Sequence, residues 1–125
     1  MDQYRKGWAL RYLREAKAEL EAARKIPYMA PSLVLEAVRK ARNAIYYSLG
    51  EPAFVEIVVR ETAEITQPQM IEDPVLKCLV EIEGMVQQLS QLEDVDGERA
   101  MKQADSLIHL ASDIVETLTE EKIED

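Results

Sequence analysis

The stretch RKARNAIYYSLGEP, residues 39–52, gathers Arg39, Lys40 and Arg42 with Asn43 and the adjacent Tyr46 and Tyr47 near the end of a predicted helix. On a helical wheel with Val34 at the origin, Arg39, Arg42 and Tyr46 fall between about 80° and 140°, and Lys40, Asn43 and Tyr47 between about 180° and 240°. The apolar stripe of the same helix is Val34, Ala37, Val38, Ala41, Ile45 and Ser48, so neither polar group lies on the expected core face. A guanidinium beside an aromatic ring suits a phosphate together with a stacked base. Arg39, Arg42, Asn43 and Tyr46 are therefore the candidate binding residues, with a nucleotide, an RNA or an acidic protein surface as ligand. The competing reading packs both tyrosines against the first helix or a second subunit and neutralises the arginines with carboxylates of the acidic half.

Other residue types offer less. His109 and Cys78 are the only histidine and cysteine, so no intramolecular disulfide can form and a zinc site would have only these two nitrogen or sulfur ligands. Asp105 stands four residues before His109, a spacing that on a helix is ordinarily a surface contact. A Ser-His-Asp or Cys-His nucleophile would need this same histidine, so no catalytic residue is assigned. Glu61 and Glu64 form E-x-x-E, and Glu93 and Asp96 form E-x-x-D. Together they resemble the magnesium-binding pattern of all-α nucleotide pyrophosphohydrolases, where paired carboxylates hold ions against a triphosphate. Among 24 acidic residues in 125 such pairs arise by chance, and Asp96 precedes Gly97 in a predicted turn where that family needs a continuous helix. The DVDG run imitates a calcium loop but puts Leu92 and Gln103 at its first and last ligand positions. Capping of a turn by Asp94 or Asp96 is the better account. No metal and no cofactor is expected.

The net charge of −9 argues against a general nucleic-acid binder, yet it is unevenly spread. Residues 1–50 hold ten Lys/Arg against five Asp/Glu, +5, whereas residues 51–125 hold five against nineteen, −14. Two parts so charged attract each other within a monomer or across a homo-oligomer; the alternative is a basic hairpin that meets phosphate. The first residues, MDQYRKGWALRYLREAK, carry charges every three or four positions, and no 18-residue apolar run occurs. A cytoplasmic protein without a membrane partner is expected.

The elements that must position these residues are helical. With 47% hydrophobic content, four glycines and five prolines, the composition suits one helical domain over residues 1–125. Helix 1 runs from about Tyr4 to Lys25 on the stripe Trp8, Tyr12, Ala16, Leu20 and Ala23, and Pro27 stops it. Helix 2 runs from Pro31 or Ser32 to Leu49, with Gly50 just past its end. Pro52 opens helix 3, residues 52–66, with Phe54, Val58 and Ile65 directed inward. Its FVEIVV start also suits a strand, but no second strand candidate exists to pair with it. Asp73 and Pro74 cap and start helix 4, whose seam is Val75, Leu79, Ile82, Val86 and Leu89. Helix 5 follows EDVDGE on Ala100, Ala104, Leu107, Ala111, Ile114 and Leu118, and the tail from about residue 119 to 125 is expected to fray.

The order LRYLREAKAELEAARK, a Pro-containing link, then LVLEAVRKARNAIYYSLGEP resembles the first two helices of HEPN domains, small helical bundles whose name records nucleotide binding. The likeness covers about residues 5–52. Ribonuclease members of that family use an Arg, often followed by Asn, and a His four to six residues further on. Arg42 and Asn43 match, but Tyr47 stands where the nearest His would be, and an ordinary tyrosine, titrating near pH ~10, is wrong for proton transfer. The resemblance thus implies a non-cleaving member that binds RNA, a nucleotide or a partner protein. The expected architecture is an all-α single-domain bundle of about five helices built from two antiparallel hairpins, helices 1–2 and 4–5. The expected function is a non-catalytic, HEPN-like binding or assembly module. The alternatives are a structural homo-oligomer and the magnesium-dependent pyrophosphohydrolase.

Overall fold

A computed structural model of the chain describes residues 2–90 and 97–120. Five helices follow in order: α1 (Gln3–Lys25), α2 (Ala30–Leu49), α3 (Pro52–Ile65), α4 (Pro74–Ser90) and α5 (Gly97–Thr119). Single 3₁₀ turns at Pro27–Met29 and Pro68–Met70 join α1 to α2 and α3 to α4. No strand occurs among the described residues, and FVEIVV lies within α3. The fold is an all-α bundle, and no helix is long and apolar enough to cross a membrane among these residues. Thr119, at the start of the tail expected to fray, closes α5 as a buried residue whose hydroxyl donates to the Val115 carbonyl at 2.7 Å. Residues 121–125 of that tail lie outside the described residues.

Local chemistry places the helix ends. The Asp2 carboxylate accepts from the Tyr4 amide at 2.8 Å and caps α1. Pro31 and Pro52 sit in the first turns of α2 and α3, where a missing N–H costs nothing. Asp73 accepts from the amides of Val75 at 2.8 Å and Leu76 at 3.1 Å at the head of α4. Asp73→Ala is expected to lower the unfolding free energy by about 1 kcal/mol. The readout is a lower urea midpoint with an unchanged slope.

α2 is the central element. It packs most broadly on α1, next on α5, and also touches α3 and α4, whereas α4 and α5 meet each other little. The helix 1–2 hairpin is thus the main internal contact, and the second hairpin is held together largely through α2. Ala9, Ala16 and Ala23 on α1 and Ala37, Ala41 and Ala44 on α2 are all buried, and such small residues let packed helices approach closely. The predicted stripe of α2 is buried in full. On α4, Leu79, Ile82, Val86 and Leu89 are buried as expected and Val75 is half-buried.

Three faces differ from expectation. In α1 the fully buried positions near the start are Ala9 and Leu13, whereas Trp8 and Tyr12 of the expected stripe are half-buried. In α5 the buried arc turns toward Ile108, Ser112, Val115 and Thr119, leaving Ile114 half-buried and Leu118 exposed. In α3 the inward residues are Val59, buried, and Val55, half-buried, while Phe54, Val58 and Ile65 face solvent. α3 is therefore rotated by roughly 100° from the orientation its spacing suggested. Apolar residues cover most of its circumference, so periodicity does not select one face.

Candidate functional site

The predicted binding stripe is the first surface to test. Arg39 Nη1 lies 3.2 Å from Glu36 one turn back, an exposed pair on the same helix. Arg42 Nη1 lies 3.4 Å from Glu83 Oε2 of α4, with side chains 16% and 7% exposed. The Arg42 guanidinium also stands 5.8 Å from the centre of the Tyr46 ring. The pairing of guanidinium and ring is present, but Tyr46 is only 2% exposed. The expectation that Tyr46 and Arg42 share a solvent-facing stripe with Arg39 is thus corrected. α3 and α4 both pack on α2, and Arg42, Glu83, Glu56 and Arg60 all surround the Tyr46 hydroxyl electrostatically. Asn43 is half-buried one position further round. The four residues do not form one exposed surface.

The Tyr46 hydroxyl is buried without a hydrogen-bond partner among the described residues. Burial pushes its pKa up to about 12, against the opposing effect of Arg42. A raised folded pKa favours the neutral phenol in the native state, so this contribution to stability is complete below the unfolded value near pH ~10 and is lost as pH climbs through about 12. Tyr46→Phe removes an unsatisfied polar atom while keeping the ring. It is expected to leave stability at neutral pH unchanged or raised by up to about 1 kcal/mol, and to flatten the alkaline decline. Thermal melts of both proteins at pH 7 and pH 11 check this.

The other flank of the basic hairpin is also internally satisfied. Lys40 Nζ lies 2.6 Å from Glu19 Oε1 and 3.9 Å from Glu15 Oε2 on α1, and the bond to Glu19 foremost holds the ammonium pKa above its ordinary value. Tyr47 stacks on Trp8 and Tyr12 with ring centres 6.2 and 5.8 Å apart. Tyr4 meets Trp8 edge-on, and Arg11 lies over the Trp8 ring at 5.0 Å. Tyr47 is therefore a packing residue of the α1–α2 hairpin, as the competing reading of the sequence had it. A neighbouring hollow of about 390 Å³ is lined by Asp2, Tyr4, Arg5, Tyr47, Glu51 and Pro52. Its two carboxylates against one guanidinium do not favour an anion. The two differently charged parts of the chain also meet directly, through Arg42–Glu83 and through Arg24, which bonds Glu21 and reaches Asp105 of α5.

Glu61 and Glu64 are exposed on α3, whereas Glu93 and Asp96, with the capping turn at Asp94, lie outside the described residues. Among the described residues no group of three His, Cys, Asp or Glu side chains is placed to hold a metal ion. His109 is exposed on α5, and Asp105 engages Arg24. The Cys78 thiol is buried, and burial, reinforced by Glu81, pushes its pKa up to about 12. Such a thiol stays protonated and is a poor nucleophile.

The surface that sequence reasoning missed is on α3. Phe54, Ile57, Val58 and Ile65 are 71%, 52%, 54% and 84% exposed, and their spacing gathers them on one arc about 100° wide. Phe54 and Val58 also line a mostly apolar groove of about 370 Å³ between α3 and α4, together with Leu49, Leu76, Leu79 and Asp73. The signal for it was already in the sequence: a helix apolar on nearly every side has more than one face to cover. Comparison of the chain with protein-family models, with curated proteins and with solved structures gives no match.

Proposed function

We propose that the protein is a non-catalytic assembly module that binds a polypeptide through the outer face of α3 and the groove beside it. The observation that carries this reading is the exposure of four large apolar side chains on a single helical arc, two of which, Phe54 and Val58, also line a mostly apolar groove. A contiguous apolar patch on this scale marks an interaction surface in water-soluble proteins. The basic stripe, by contrast, spends its charges within the chain: Arg42 on Glu83, Lys40 on Glu19, Arg39 on Glu36. An RNA phosphate would have to displace a carboxylate at each of them. This keeps the binding-module class suggested by the resemblance and moves its surface from α2 to α3.

The test is site-specific photo-cross-linking in the native host. A photoreactive phenylalanine analogue replaces Ile57 in one sample and the exposed Arg14 of α1 in another. Cross-links to a polypeptide from position 57 and not from position 14 are expected. Cross-links confined to position 14, or to RNA, would overturn the reading.

A further inference from the structure

The groove and its rim differ sharply in chemistry. Phe54, Ile57, Val58 and Ile65 repeat at spacings of three, one and seven, the arc that one helix presents to another laid along it. On the same side of α3 stand two exposed carboxylates, Glu61 and Glu64, at about 340° and 280° with Phe54 at the origin. Asp73, also exposed, lines the groove itself. Glu61 and Glu64 form no ion pair among the described residues, and Asp73 caps α4. The one cation of α3, Arg60, is held by Glu56 at 2.6 Å.

This pattern selects the occupant. A second copy seated face to face would bring the same carboxylates against one another, on chains that each carry −9. Nor can the basic helices of a neighbouring copy serve. The apolar faces of α1 and α2 are consumed by their own core, with Leu13, Leu20, Val34 and Ile45 buried. What fits is a helix with a free apolar stripe flanked by Lys and Arg. Resting on the α3 reading above, we propose that the α3–α4 groove binds an amphipathic helix of a different protein, with its apolar stripe in the groove and its basic residues against Glu61 and Glu64. Helix-in-groove binding of this kind draws affinity from three or four apolar anchors at i, i+3, i+4 and i+7, and orientation from the charged rim.

The experiment uses the full chain and two synthetic 18-residue amphipathic peptides of equal Leu content, one with Lys and one with Glu on the polar face. A third Leu/Lys peptide has the same composition without amphipathic order. Binding is read by fluorescence anisotropy at about 150 mM salt, where exposed charges beyond a Debye length of ~8 Å are largely screened. The ordered Leu/Lys peptide is expected to bind at least tenfold more tightly than either other peptide. Phe54→Ser with Val58→Ser, both at exposed positions, should weaken it at least tenfold with unchanged far-UV circular dichroism. Glu61→Lys with Glu64→Lys should weaken the Leu/Lys peptide and strengthen the Leu/Glu one. Equal binding of the ordered and disordered Lys peptides, or indifference to Phe54→Ser with Val58→Ser, would overturn the proposal. So would a constitutive dimer that this double variant dissociates, since a second copy then covers the face. In that case, or if no peptide binds while position 57 still cross-links a polypeptide, the occupant is wrong and the α3 reading stands. Cross-links confined elsewhere would remove both.

Discussion

Glu83→Ala is expected to lower the unfolding free energy by about 3 kcal/mol, because it strands the Arg42 guanidinium between helices. Arg42 of α2 and Glu83 of α4 are 41 residues apart in the chain, and the carboxylate is 7% exposed. The Arg42 Nε is also buried without a hydrogen-bond partner among the described residues, so the carboxylate is its main compensation. Attraction within the pair is largely offset by the cost of removing both charges from water, so the loss reflects the orphaned charge more than the bond. The double variant Arg42→Met with Glu83→Leu should therefore recover most of the stability. Urea denaturation of the three proteins decides the matter. A double variant as unstable as Glu83→Ala would mean that the pair contributes specific packing that apolar side chains of similar size do not reproduce.

Ile45→Ala should cost about 4 kcal/mol, a fall of roughly 10 °C or more in Tm. Ile45 is fully buried on α2, the helix that touches each of the other four, so the cavity opens where several elements meet and none can relax alone. Phe54→Ser, a larger change in side-chain volume, should move stability by no more than about 0.5 kcal/mol, since its ring is 71% exposed. The contrast is informative beyond either value. If Phe54→Ser proved as damaging as Ile45→Ala in dilute solution, α3 would be turned inward as its spacing first suggested, and the proposed docking face would not exist.

The candidate site was legible only in part. The association of Arg42 with Tyr46 was readable from their four-residue spacing and is present, with the guanidinium 5.8 Å from the ring centre. Their burial was not readable, because a wheel drawn for one helix has a single core face and α2 is flanked by four neighbours. The aromatic stack of Tyr47 with Trp8 and Tyr12 was open as one of two readings. Its selection depends on how α1 and α2 cross. The α3 surface was missed because assigning Phe54, Val58 and Ile65 to the core was as consistent with the spacing as the orientation observed.

By itself the sequence determined the helices and several of their ends: Pro31, Pro52 and Asp73 at the starts, Pro27 and Gly50 after the stops. These are set by backbone sterics and by hydrogen bonds spanning a few residues, which any context preserves. It also determined the inward faces of α2 and most of α4, where apolar residues occupy one arc and polar residues the remainder. Only the tertiary structure decided which side of α3 is covered, that Tyr46 is buried, and that Arg42 meets Glu83. Each depends on neighbours far along the chain, and an apolar or amphipathic surface carries no record of which of several equally favourable partners will cover it.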